Sequence, residues 1–162
     1  MNAADQKNEE GIVVRAIVAN VHDVMDGEWG DREWLHLFSD FEVDATGARM
    51  SAICFALARH GDNPVEKIAF RLPFEARQIL ATVASDMAAR DGKRWTAARI
   101  RVEKDGGYAI DYVYDAPYRL GGTLNDTRYA DYLERWLDSD QGTRYRAPAR
   151  SALRKWFGGK GQ

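Results

Sequence analysis

Cysteine is almost absent from this chain, which has Cys54 as its only one. A single cysteine excludes an internal disulfide and fits a reducing compartment. No apolar run approaches the roughly 18 residues that a membrane-spanning helix needs, and the polar, acidic start MNAADQKNEE is unlike a signal peptide. The sequence therefore predicts a cytoplasmic protein without a membrane partner.

Histidine is also scarce, and the three residues His22, His36 and His60 do not have a zinc-binding spacing. No glycine-rich nucleotide-binding motif and no G-x-S-x-G nucleophile motif occurs in the chain. Cys54 alternates with alanines, which is typical of a buried strand residue rather than a nucleophile. We therefore expect a protein that is not an enzyme, with no catalytic residues, no metal site and no cofactor.

The chain does have the apolar content of a globular domain, since 45% of its 162 residues are hydrophobic. Its charge is uneven: a tail from Asp140 onward carries +5, so the preceding body carries −7 of the total −2. We predict one α+β domain over residues 1–140 and a basic C-terminal extension over 141–162. An acidic body attracts basic proteins and repels nucleic acid, which makes nucleic acid an unlikely partner.

The clearest structural signal is a hairpin over residues 95–115, in which two alternating runs flank an Asp-Gly-Gly turn. A three-residue loop pairs Val102 with Ile110 and keeps the large apolar residues on one face. The same register sets Arg101 opposite Asp111. This segment is therefore predicted to form two antiparallel strands with one buried face.

A second hairpin is predicted earlier in the chain, where residues 34–44 and 50–57 both alternate between apolar and polar residues. A turn around Gly47 pairs Phe41 with Ile53 and matches apolar to apolar. The two hairpins together predict an antiparallel sheet.

Helices are predicted where apolar residues recur at three- and four-residue spacing, namely at 12–25, 73–91 and about 126–137. Residues 1–10 are expected to fray, 60–67 to form a loop and 148–157 to form a short amphipathic turn. The predicted order is therefore α-β-β-α-β-β-α plus a short C-terminal tail, with two antiparallel hairpins in a sheet packed by helices.

One face of the first hairpin combines acidic and aromatic residues, which share one parity along the strand: Trp34, Phe38, Asp40, Glu42 and Asp44. Residues two apart project to the same side of a strand. Aromatic anchors surrounded by charge are typical of protein interfaces. We predict that these five residues contact a protein partner; the alternative is a solvated sheet face without a binding role.

The second hairpin and the turn before it also carry a family resemblance. Residues 92–95 read GKRW, where a helix ends and a Trp begins a strand, and residues 104–115 read KDGGYAIDYVYD. This order, clearest over residues 72–115, resembles the YezG-like immunity proteins of bacterial polymorphic toxin systems. The resemblance implies a small cytoplasmic α+β antitoxin that neutralises a cognate toxin domain, often a nuclease, by binding it.

Type III secretion chaperones are the alternative class, because they are also small, acidic α/β proteins in which helices alternate with strand pairs. They are usually homodimers that hold an effector segment in an extended form, whereas an immunity protein binds a folded toxin domain. The helix predicted at 73–91 is apolar on one face only, which favours the immunity interpretation. Whether the chain forms a homo-oligomer stays open.

Overall fold

The computed structural model describes residues 1–146, which form one antiparallel sheet with helices on one side and a long C-terminal segment on the other. Its elements are α1 (Ala3–Ala19), β1 (Glu33–Val43), β2 (Met50–Arg59), β3 (Glu66–Ala69), α2 (Phe74–Asp91), β4 (Ala97–Glu103), β5 (Tyr108–Val113), α3 (Tyr132–Leu137) and a 3-10 turn (Thr143–Tyr145). The strands lie in the order β3-β2-β1-β4-β5. The predicted α+β class is confirmed.

The third strand is the element that the predicted order lacks. Strand β3 begins at Glu66, inside the segment that the turn residues of HGDNP indicated as a loop. It is only four residues long, which is too short to show an alternating pattern. The order in the structure is therefore α-β-β-β-α-β-β-α.

Helix α1 begins earlier and ends earlier than predicted. Asn2 and Asp5 form a reciprocal capping box, in which the Asp5 N–H donates to Asn2 over 2.9 Å and the Asn2 N–H donates to Asp5 over 3.2 Å. Because this box satisfies the free N–H groups of the first turn, the expected fraying of residues 1–10 is wrong. Helix α2 has the predicted bounds, and Gly92 ends it in the left-handed conformation at φ 74°.

Helices α1 and α2 cover one face of the sheet and bury its main core. The largest fully buried side chains there are Ile17, Leu37, Phe41, Leu80, Trp95 and Ile100. Trp95 packs edge-on against Phe41 with the ring centroids 6.4 Å apart. The face of the second hairpin that was predicted to be buried therefore lies under these helices.

The β4–β5 hairpin has a different register from the predicted one but the same faces. Ile100 pairs with Ile110, a two-residue shift, because the three-residue turn lies one residue earlier than predicted, at 104–106. It closes with a 2.8 Å hydrogen bond from the Glu103 N–H to the Gly107 carbonyl. An even shift keeps every side chain on its predicted side. Arg101 and Asp111 still form their ion pair, at 3.3 Å, although they are diagonal neighbours.

The β1–β2 hairpin is shifted by one residue, and that shift exchanges faces. Phe41 pairs with Ala52 instead of Ile53, and an irregularity between Trp34 and His36 changes the register again. The predicted pairing is therefore wrong, and Ile53 lies on the opposite face from Phe41. Nine consecutive residues of β1, from Leu35 to Val43, are buried, so alternation alone could not show which side faces the helices.

The C-terminal segment, residues 117–146, covers the second face of the sheet. It builds a smaller core from Leu35, Phe38, Phe55, Leu57 and Trp136, with Tyr129 and Tyr132 packed against it. Residues 147–162, including the predicted amphipathic turn at 148–157, lie outside the described residues. Within residues 1–146, no helix combines the length and apolar character of a membrane span.

Candidate functional site

The predicted contact surface on β1 lies beneath the C-terminal segment. Phe38 is 4% exposed, Asp40 0% and Glu42 1%. The expectation that these three residues are exposed to a protein partner is therefore wrong, because residues 117–146 pack on this face of the sheet. Trp34 and Asp44 are half-buried, and their role as contacts stays a prediction.

A buried network of charged side chains holds the C-terminal segment on the sheet, and Arg119 is its centre. The Arg119 guanidinium donates to Ser51 Oγ over 2.8 Å, to the Asp40 carbonyl over 2.8 Å and to Asp126 over 2.9 Å. It also lies 3.5 Å from Glu42. The three carboxylates of this network, Asp40, Glu42 and Asp126, thus each have a cation beside them, as burial of charge requires.

Glu42 is bound by the backbone as well as by arginine. Its carboxylate accepts hydrogen bonds from the N–H groups of Tyr118, Arg119 and Leu120 at 3.3, 3.2 and 3.0 Å. The turn that aims these groups depends on Gly121, where a Cβ would lie only 2.2 Å from the Pro117 carbonyl oxygen. The conformation of this turn therefore directs three backbone N–H groups at the Glu42 carboxylate.

Asp126 and Arg128 complete the network. Arg128 lies 2.6 Å from Asp126 and its guanidinium stacks 3.9 Å above the Tyr118 ring. The hydrogen bond from Arg128 holds the pKa of Asp126 well below its usual range. Tyr129 donates its hydroxyl to Asp40. Because these groups satisfy one another, we interpret the network as a fastening of residues 117–129 to β1.

A second polar chain, Glu103–His36–Tyr132, lies at the other end of the same layer. The His36 ring contacts Glu103 through Nδ1 at 2.9 Å and the Tyr132 hydroxyl through Nε2 at 2.6 Å. Burial lowers the pKa of His36, so Nδ1–H donates to the carboxylate and Nε2 accepts from the phenol. Burial also raises the pKa of Tyr132, so its phenol stays protonated.

The His36 chain could not be found from the sequence, because its members are 67 and 96 residues apart. It borders a cavity of about 200 Å³ that Arg101 and Arg135 also line. Both arginines have carboxylate partners, Asp111 at 3.3 Å and Asp131 at 3.1 Å. The Tyr132 phenol donates to His36, and both arginines already have carboxylate partners. We therefore interpret this arrangement as a structural contact between β1 and α3.

A group of exposed acidic residues lies in the connection between α1 and β1. Residues 20–33 contain five acids and one base, Arg32. The connection is fixed along β3, because the Met25 N–H donates to the Ala69 carbonyl over 2.9 Å and Arg71 donates to Asp23 over 2.9 Å. Met25 itself is 52% exposed.

We call this region the acidic end and define it by Asp26, Glu28, Asp31 and Asp62. Asp62 belongs to it because the β2–β3 loop lies against the connection through the contact of His60 with Asp31. Within residues 1–146, Asp26, Glu28 and Asp62 form no ion pair. The acidic character of this connection is visible in the sequence, where residues 22–33 read HDVMDGEWGDRE. The predicted helix over 12–25 included part of this run, although α1 ends at Ala19.

Neither of two comparisons with known proteins finds a relative: no family model matches the chain, and no curated protein matches it.

Proposed function

We propose that the protein is an immunity-type inhibitor, without enzymatic activity, that binds and neutralises a basic toxin domain through the acidic end. The observation that carries this proposal is the exposure of Asp26, Glu28 and Asp62 without ion-pair partners in the described chain. Met25, the neighbour of Asp26 in the chain, is exposed as well, and an apolar side chain with a polar rim is a common composition for a protein contact.

The chemistry of the partner follows from the charge. A nuclease toxin must attract phosphates and so presents a positive cleft, which an acidic surface can enter with the help of long-range attraction. The resemblance of residues 92–95 and 104–115 to YezG-like immunity proteins supports the same class of partner. The acidic end therefore replaces Phe38, Asp40 and Glu42 as the proposed contact surface.

Charge reversal tests this proposal. The variant carries Asp26→Lys, Glu28→Lys and Asp62→Lys, and the matched control carries Glu75→Lys, Asp115→Lys and Glu134→Lys, which are also exposed and change the net charge equally. Both are co-expressed with a toxin domain encoded beside this chain, and cell growth and association rates are measured. We expect the acidic-end variant to associate on the order of tenfold more slowly and to protect poorly.

The control variant should associate at close to the wild-type rate, because only local charge steers the partner to the surface. If the acidic-end variant folds and still protects cells as the wild type does, the acidic end is not the contact surface. If the wild type neither binds nor protects against such a domain, the inhibitor function itself is wrong.

A chaperone of the type III secretion class is the second candidate, and the observation that favours it is the edge of β5, which no strand within residues 1–146 covers. A free strand edge can hydrogen-bond an extended segment. The two functions differ in the state of the partner, which is folded for an inhibitor and extended for a chaperone. Hydrogen exchange of the bound partner separates them, since a folded partner keeps its protected amides.

A further inference from the structure

Strand β5 is an edge of the sheet that no described strand covers. It pairs with β4 on one side and is the last strand in the sheet order. Because Glu103 and Gly107 form a hydrogen-bonded pair, alternation along the ladder points the backbone N–H and C=O groups of Tyr108, Ile110 and Tyr112 away from β4. Three donors and three acceptors therefore face outward along one line.

The opposite edge of the sheet is protected. The connection after α1 runs along β3, with a bridge between Val24 and Phe70 and the hydrogen bond from Met25 to Ala69. Proteins commonly protect an edge with a covering segment, a proline or a lysine. Strand β5 reads YAIDYV and contains neither proline nor lysine, so one edge is closed and the other is left able to pair.

A groove borders the β5 edge on the side of the sheet that faces α1. The groove, of about 650 Å³, lies between this edge and the N-terminal half of α1, and Gln6, Lys7 and Glu10 form its helical wall. The wall is fixed to the strand, because the Tyr112 hydroxyl donates to Glu10 over 2.6 Å. The groove contains both signs of charge, which suits a partner that carries the same surface.

We propose that a second copy of this chain pairs with β5 in antiparallel orientation, with a two-fold axis at Ile110. In this register Ile110 pairs with its own counterpart, and Tyr108 pairs with Tyr112 of the second copy, so all the outward groups find partners. Asp111, the only charged residue of the strand, then lies opposite Ala109. Moving the two-fold axis by one residue, from Ile110 to Asp111, would set two Asp111 carboxylates opposite each other, which is unfavourable.

The resulting dimer has a continuous sheet of both copies, and its two acidic ends lie beyond β3 at the far edges. Pairing through β5 therefore does not cover the acidic end. The inference does not depend on the proposed inhibitor function, because it rests on backbone geometry that would be the same for any partner of the acidic end. It competes with the chaperone alternative, in which an extended segment would occupy the same edge.

Proline at the axis tests the backbone pairing. Ile110→Pro removes an outward N–H without removing a β4–β5 hydrogen bond, as edge strands tolerate. Ile110→Val keeps that N–H and is the matched control. In sedimentation equilibrium we expect the wild type and Ile110→Val to dimerise, and Ile110→Pro to raise the dimer Kd by at least about tenfold. A monomeric wild type at the highest soluble concentration would overturn the proposal.

Cross-linking decides the matter if Ile110→Pro does not fold. Ile110→Cys, treated with a short bis-maleimide, should give a covalent dimer, because paired Cα atoms on the axis are only about 5.5 Å apart. Asp62→Cys, exposed at the acidic end, is the control and should stay monomeric; the native Cys54 is buried and gives no background. Cross-linking of Asp62→Cys alone would show that the copies meet at the other edge, and cross-linking of neither would show that they do not pair.

Discussion

The buried carboxylates of this protein depend on ion-pair partners, because a charge that has lost its water needs an opposite charge or a hydrogen-bond donor beside it. Asp40 and Glu42 sit in the middle of a strand with no access to water, and Arg119 reaches both from a loop. Burying an ion pair brings little net stability, but removing one partner leaves an uncompensated charge. The network should therefore be sensitive to loss of a single member.

Replacing Arg119 by alanine tests this sensitivity. Arg119→Ala removes the central cation of the network, but Arg128 stays within 3.4 Å of Asp40 and 3.7 Å of Glu42, and Arg99 also stays within 3.4 Å of Asp40. Because the charge is partly compensated, we expect a loss of about 3 kcal/mol in the free energy of unfolding, the lower end for a broken buried ion pair. Arg135→Ala breaks an exposed pair with Asp131 and should cost at most about 1 kcal/mol. Urea denaturation measures both, and equal midpoints for the two variants would contradict the role of Arg119.

His36 should make stability depend on pH. Burial lowers its pKa in the folded state below the ordinary 6.5, so the unfolded chain takes up the proton first as the pH falls. The linkage relation then requires stability to decrease as the pH falls below 6.5 and to level off below the folded pKa.

The pH dependence is measured as the urea midpoint over that range. His36→Gln should remove this part of the slope, although it also lowers stability by breaking the contacts with Glu103 and Tyr132. His22→Gln replaces an exposed histidine and is the matched control for the His-to-Gln substitution itself. A His36→Gln variant with the full slope would show that another group is responsible.

At the scale of elements, the C-terminal segment is a second layer rather than an appendage. Helix α3 is only six residues long, which is too short to be stable by itself. It depends on Trp136, which is 6% exposed and stacks on Tyr145 at 5.7 Å. The segment should therefore contribute to the same cooperative unfolding as the sheet.

Truncation of Trp136 tests the contribution of this layer. Trp136→Ala should cost about 3–5 kcal/mol, because it leaves a cavity between α3 and the sheet. Leu124 lies in the same segment but is 88% exposed, and Leu124→Ala should change stability by no more than about 0.5 kcal/mol. Thermal unfolding compares them; a Trp136→Ala variant as stable as Leu124→Ala would mean that the layer contributes little.

The whole molecule separates two kinds of surface at the two edges of its sheet. Carboxylates gather beside β3, whereas β5 presents backbone hydrogen-bonding groups. Salt screens charges on an exposed surface over about 10 Å at 0.1 M, but it has little effect on neutral backbone hydrogen bonds. The two proposed associations should therefore respond differently to ionic strength.

A salt series on the wild type tests this difference. The rate of association with a basic toxin domain should fall steeply as salt is added, since steering is electrostatic. The dimer Kd should change by less than about threefold over the same range, a difference of roughly 0.65 kcal/mol. Sedimentation and stopped-flow binding supply the two measurements. A steep salt dependence of the dimer would indicate contact through charged side chains instead of β5.

The sequence determined the local features of this protein. The α+β class, the bounds of α2 (Phe74–Asp91) between Pro73 and Gly92, and the existence of both hairpins followed from spacing and turn residues. The face of each residue in β4 and β5 also followed, because a register error of two residues leaves parity unchanged. Helix bounds, turns and strand faces depend on residues that are close in the chain, so the local sequence pattern is enough to predict them.

Only the tertiary structure decided which acidic residues face water. Parity placed Asp40 and Glu42 together correctly, but their burial depends on Arg119, which lies 79 and 77 residues away. A carboxylate on an open sheet face and one buried under a loop have the same spacing in the sequence. The two cases differ in whether a segment distant in the sequence supplies cations and N–H groups. A carboxylate can be buried only where such groups compensate for the lost water.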